Sequence, residues 1–145
     1  MHNLPLIKEL ALAFQAFEHY ATGHVRSLGL TMTQFDIVAT LGNQPPMTCK
    51  ELAEKTLILK GTMTGVLERL ESKGLIEKTI NEADARSYRV GLTKSGERLF
   101  KKAFPEHLAH LERAFGKLSA KESQEIMAGL RKIRKLVGNT QENHS

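Results

Sequence analysis

LAEKTLILKGTMTGVLERLESKGLIEKTINEADARSYRVGL, residues 52–92, holds three patterns in succession. Leu52 and Ala53 begin a short helical pattern that runs out near Thr56. Met63, Val66, Leu67 and Leu70 then recur at i, i+3, i+4 and i+7, the single apolar stripe of an amphipathic helix. Gly74 stands where a helix C-cap glycine belongs, with Lys73 in the last turn. Beyond it, residues 75–79 and 88–92 are β-compatible runs separated by the turn-forming cluster Asn81-Glu82-Ala83-Asp84. Helix, turn, helix and β-hairpin in this order predict a winged helix-turn-helix lobe. The fold expected is mainly α with a small β-hairpin wing, and the partner expected is double-stranded DNA.

The flanks are helical. Ile7, Leu10, Phe14, Phe17, Ala21 and Val25 keep helical spacing from Leu4 to about Leu28, where Gly29 stops the run. Thr31 and Gln34 have the spacing of a capping box, opening a helix with Phe35, Val38 and Leu41 inward; Gly42-Asn43 and Pro45-Pro46 close it. Thr48 and Glu51 repeat that spacing before Leu52. Past the hairpin, Thr93 or Ser95 opens a long helix with Leu99, Ala103, Leu108, Leu111 and Phe115 apolar. Pro105 predicts a kink or break within it. Ser119 and Glu122 form a third box before a last helix bearing Ile126, Leu130, Ile133 and Val137. The chain thus reads as one domain, with a reader lobe at 31–96, long helices at 4–30 and 97–138, and a polar, frayed tail at 139–145. These long helices carry more apolar positions than the lobe needs. They either pack on it within one subunit or interlock with those of a second copy.

Composition removes several classes. Lys and Arg exceed Asp and Glu by 21 to 16, a net charge of +5 that favours a polyanionic partner. The single cysteine, Cys49, excludes an intramolecular disulfide and a Cys-rich zinc site. The first residues lack a secretory pattern, and no apolar run reaches the ~18 residues of a membrane span, so a cytoplasmic protein is expected. No nucleophile–base pairing, metal cluster or phosphate loop is evident, and neither an enzyme nor a cofactor is expected.

In the second helix of the reader, the face opposite the apolar stripe is Gly61, Gly65, Glu68 and Ser72, flanked by Thr62, Thr64 and Arg69. Two glycines in one helix suit close backbone approach to a partner, unless Gly61 belongs to the preceding turn. Thr62 and Thr64 offer hydroxyls to phosphates or bases and methyl groups to thymine. Lys60 at the helix start and Arg69 further along suit phosphates. At the hairpin tip, Asp84 is placed to hold the guanidinium of Arg86, and an oriented arginine suits a narrow, A·T-rich minor groove. Ser87 adjoins it, and Lys78 and Arg89 on the hairpin arms suit backbone phosphates.

As a set, LAEK at 52–55, TMT at 62–64, RLESKGLI at 69–76, DAR at 84–86 and GLTKSG at 91–96 resemble the MarR family of bacterial transcriptional regulators, and the likeness extends loosely over almost the whole chain. The resemblance implies a homodimer joined through the terminal helices, and repression of a pseudo-palindromic operator. It gives Arg86 the minor-groove role. It also implies a small aromatic or amphipathic anionic effector between the dimer helices and the reader, where Phe17, Tyr20, His24, Phe35 and Asp36 fall by position; each is equally compatible with ordinary core. Two positions depart from the family's pattern. Leu59 stands where a serine commonly caps the reader helix, and Gly65 where a longer polar side chain is common, so readout is expected to lean on the wing and on DNA shape.

Other readings stay open on the residues alone. Cys49, at a helix N-terminus beside Lys50, has the surroundings of a reactive thiol and suggests a redox-responsive regulator; the family's oxidant sensors keep theirs on the first helix. His107 and His110 share a helix face at metal-ligand spacing, but nothing in the sequence completes a site, and no metal is expected. A sequence-tolerant architectural DNA-binding protein and a winged-helix module that binds protein are the remaining alternatives.

Overall fold

The computed structural model describes residues 1–138, so the expectation for the tail at 139–145 falls outside the described residues. Two compact units divide after Leu108. The first holds α1 (Leu4–Ser27), α2 (Met32–Leu41), β1 (Met47–Thr48), α3 (Cys49–Lys55), α4 (Lys60–Ser72), β2 (Ile76–Ile80) and β3 (Tyr88–Leu92). Helix α5 (Lys94–Phe115) begins in the first unit and ends in the second, which also carries α6 (Ala120–Gly138).

Helix ends follow the local signals. Thr31 accepts the Gln34 N–H while the Gln34 side chain accepts the Thr31 N–H, a complete capping box. Ser119 and Glu122 form the same reciprocal pair before α6, and these hydrogen bonds hold the Glu122 carboxyl below its ordinary range. At Thr48 one half is seen: its hydroxyl accepts the Glu51 N–H. Gly74 takes φ +73°, letting the Gly74 and Leu75 N–H groups reach the Glu71 and Leu70 carbonyls. Lys73, beside this turn, donates through Nζ to the Gln34 side chain and the Gly29 carbonyl, fixing the end of α4 to the α1–α2 corner.

The main core gathers Ile37, Val38 and Leu41 from α2, Leu52 from α3, Met63, Val66, Leu67 and Leu70 from α4, and Ile76 and Val90 from the hairpin. The expected stripe of α4 is therefore the buried one. The sheet has one strand more than expected: Met47 and Thr48 pair with Val90 and Arg89, giving the antiparallel order β1-β3-β2. Two residues behind Pro45-Pro46 are too few to show a period.

Of the kink or break expected at Pro105, the break is not found: helix α5 continues through it. Its buried side in the first unit is Gly96, Phe100, Ala103 and His107, while Leu108, one of the apolar positions of the pattern, is exposed. The stripe is shifted because Phe100 and His107 pack inward; the Phe100 ring lies against Gly42 with no room there for a Cβ. In α1 only Ala21 and Val25 are buried, while Ile7, Leu10, Phe14 and Phe17 remain exposed. In α6 none of the described residues is buried.

Candidate nucleic-acid interface

The turn before α4 is held from inside. Thr56 donates its hydroxyl to the Leu52 carbonyl at 2.7 Å and accepts the Ile58 N–H at 3.3 Å, and both Thr56 and Ile58 are buried. Helix α4 then starts at Lys60 and turns Lys60, Gly61, Thr62, Thr64 and Arg69 to the surface, with Gly65 half-buried. Gly61 lies within the helix, not in the turn. A Cβ added at Gly61 or Gly65 would meet nothing within 4 Å, so packing inside the chain requires neither glycine. An interior helical glycine costs about 1 kcal/mol relative to alanine. What the pair leaves is a strip of bare backbone beside the two threonine hydroxyls and Lys60.

The wing is built around a residue that sequence reasoning missed. Asn81 is buried; its Nδ2 donates to Ser87 Oγ at 2.9 Å, and its Oδ1 accepts from the Ala83 N–H at 3.2 Å and Arg89 Nε at 3.3 Å. Asparagine opening a turn cluster was the available signal, since its side chain mimics a backbone turn. Asp84 accepts the Arg86 backbone N–H at 3.0 Å. The aspartate therefore shapes the loop rather than holding the guanidinium, and Arg86 stands exposed at the tip. Ser87 gives its hydroxyl hydrogen to the Asp84 carbonyl at 3.2 Å, so its hydroxyl is engaged within the wing. Arg89 is half-buried on Asn81. Asn81→Ala would leave three partners unmet, at a cost of about 1–3 kcal/mol. Hydrogen exchange should then show faster amides from 82 to 87, with the α2 amides unchanged.

Lys78, expected on a phosphate, reaches back in the free protein. Its Nζ lies 3.8 Å from Glu71 Oε1 and 4.8 Å from the centre of the Tyr88 ring, joining the wing to the end of α4. Tyr88 in turn is hydrogen-bonded with Cys49, its Oη 3.4 Å from Sγ. The hydrogen bond with Cys49, then burial, pushes the Tyr88 phenol up from 10.0 to about 12. A phenol raised in the fold favours the neutral form. Its stabilising contribution is present below pH 10 and is lost between about 10 and 12. Spectrophotometric titration of Cys49→Ala should return the Tyr88 midpoint toward 10, while an unchanged midpoint would exclude the sulfur as the cause.

The five residues expected at an effector cleft divide. His24 and Phe35 meet around His107: the His24 and His107 Nδ1 atoms are 3.0 Å apart with the rings stacked, and Phe35 is edge-on to His107 at 4.7 Å between centroids. Phe35 is core, packed with Val25, Leu30 and Ala103. Asp36 is half-buried, and burial raises its carboxyl above the ordinary value. Tyr20 is half-buried and Phe17 exposed. His107, which shares metal-ligand spacing with His110, is buried on the inner side of α5, and its place within an apolar stripe is the sequence sign of that role. Among the described residues no group of three metal-ligating side chains assembles.

A helix-turn-helix whose second helix exposes small and cationic residues, followed by a hairpin wing tipped by an exposed arginine, defines a winged helix-turn-helix DNA-binding protein. Known proteins agree. The MarR family model matches residues 30–88. An HTH-type transcriptional regulator of Bacillus cereus is 32% identical over 103 residues, covering 71% of this chain and 68% of the relative. Among solved structures, a mutant MarR of E. coli complexed with operator DNA superposes with TM-score 0.79 at 23% identity, over 91% of this chain and 95% of that one. The organohalide-sensing regulator RdhR in its 2,4-dichlorophenol-bound form gives 0.78 at 21% identity, over 93% and 80%. The chain belongs to the MarR family of transcriptional regulators.

Proposed function

We propose that the protein is a homodimeric repressor of a pseudo-palindromic operator, with residues 31–96 as the reader and 4–30 and 97–138 as the dimerisation helices. The observation that carries this reading is the pairing of an exposed, glycine-bared reader helix with the exposed Arg86 at the wing tip, in a chain of net charge +5. Lys60, Thr62, Thr64 and Arg69 meet the major groove and its phosphates, Arg86 enters the adjacent minor groove, and Arg89 and Lys78 face the backbone. For Lys78 this means exchanging Glu71 for a phosphate on binding. Support for a dimer is the exposed apolar side of α1. A twofold dimer presents two readers to half-sites about one helical turn apart.

An effector of the small aromatic or amphipathic anionic class would act at the junction of α1, α2 and α5 around His24, Tyr20 and Asp36. The dichlorophenol-bound neighbour lends support to that class. Such a ligand releases the operator by favouring a dimer whose readers are wrongly spaced. The test is selection of bound duplexes from a random library, followed by transcription from a promoter overlapping the selected site. A two-half-site palindrome and reduced transcript support the repressor. Enrichment of nothing beyond base composition, with a steep salt slope, would replace it with an architectural DNA-binding protein.

A further inference from the structure

Two leucines at the entrance to the reader helix are exposed where the fold gives them no partner. Thr56 and Ile58 are buried and fix the turn, while the residues on either side of Ile58 face outward: Leu57 is 98% exposed and Leu59 76%. Leu59 is the N-cap of α4 and supplies no side-chain cap hydrogen bond, although serine, threonine, aspartate or asparagine would stabilise the helix there. Neither position thus serves the stability of the subunit. Their neighbourhood is cationic. Lys50 and Lys60 line a cavity of about 260 Å³ with Cys49, Met63 and Thr64, so the partner that meets the leucines carries negative charge as well as apolar groups.

We propose that Leu59, with Leu57 beside it, reads the 5-methyl groups of thymine in the major groove, resting on the DNA-binding reading above. The N-terminal residues of a recognition helix are the ones that contact base edges. A leucine has no donor or acceptor, and the thymine methyl is the apolar group on the major-groove edge of the base pairs. Gly61 and Gly65 carry no side chain to hold the helix away, so the leucine tips can reach the groove floor. Specificity at this end of the helix comes from methyl contact and from lysine–phosphate attraction rather than from bidentate hydrogen bonds.

The experiment is a uracil scan. In the duplex selected from a random library, each thymine of the half-site is replaced in turn by deoxyuridine, which removes the methyl group and leaves the hydrogen-bonding edge intact. Affinities are measured for the wild type, Leu59→Ser and Leu57→Ser. At one or two thymines the wild type should lose about fourfold per half-site, the factor expected for one buried methyl-sized group. The serine variants should show no further loss there. Leu59→Ser restores a capping hydroxyl, so its melting temperature should equal or exceed that of the wild type, which separates lost readout from lost folding. Uracil sensitivity that is absent at every thymine, or identical in wild type and variants, overturns the proposal while DNA binding stands. If no duplex is enriched by the wild type, the DNA-binding reading falls and the proposal with it.

Discussion

Arg86→Ala should weaken binding to the selected operator by about 1–3 kcal/mol, roughly five- to 150-fold, and should do so most on sites whose wing-facing segment is A·T-rich. The guanidinium lies at the tip of a loop whose main chain is already fixed. Asn81 bonds to Ser87 and Ala83, and Asp84 accepts the Arg86 N–H, so binding orders one side chain rather than a whole hairpin. Asp84 accepts from the main chain and forms no ion pair with the guanidinium, which stands exposed. A narrow minor groove, with its enhanced negative potential, attracts such a group most strongly. Arg86→Lys separates two mechanisms. If the residue is inserted in the groove, lysine should recover only part of the loss, since its point charge lacks the planar fork. If it merely neutralises a phosphate, lysine should restore affinity fully, the alanine loss should be equal on all sequences, and the salt slope should fall by about one. Anisotropy titrations at two salt concentrations with A·T-rich and G·C-rich flanks decide between them. An alanine variant that binds every duplex as tightly as the wild type would remove Arg86 from the interface.

The parts of the fold that were legible are those whose cause is local. The stripe of α4, the Thr31–Gln34 and Ser119–Glu122 boxes and the Gly74 turn each depend on residues within a few positions of one another, and each is formed. The hairpin was legible for the same reason, displaced by one residue in its first strand. What escaped depends on distant partners. β1 exists because Met47 and Thr48 lie beside Val90 and Arg89. The phase of α5 is set by Phe100 against Gly42 and by His107 against His24 and Phe35, contacts across more than fifty residues that no periodicity encodes. Pro105 breaks the hydrogen-bond pattern of an isolated helix, yet α5 runs through it because tertiary packing outweighs one lost backbone bond. At the candidate site, the types of residue were readable but their engagements were not. Lys78 on Glu71 and Tyr88, Arg89 on Asn81 and Asp84 on the Arg86 main chain all follow from how the hairpin folds against α4 and onto itself. Phe35 shows the converse: a ring that position suggested for an effector cleft is core, because Val25, Leu30 and Ala103 surround it.

The largest effect is expected from the apolar side of α1. Leu6, Ile7, Leu10 and Phe14 are exposed, Phe14 to 62%, and burying one such side chain contributes about 1.5–3 kcal/mol. Four in each of two subunits exceed what a solvated helix retains without a partner, and within α6 Ile126, Met127 and Leu130 repeat the pattern. Leu10→Asp with Phe14→Asp should convert a dimer at micromolar concentration into a monomer, as read by sedimentation equilibrium. Operator affinity should fall by a hundredfold or more, because each reader then binds its half-site alone and the effective concentration supplied by the joined partner is lost. Leu130→Asp in α6 should act in the same direction. A folding defect is told apart by core readouts: the reader's own core of Val38, Leu52, Leu67 and Val90 contains none of these positions, so its slowest amides should stay protected in the monomer. Loss of that protection would instead mean that subunit folding and association are one step, as in obligate dimers. A wild type that sediments as a monomer, or a double variant that remains dimeric, would remove α1 from the interface and leave its exposed stripe to another partner.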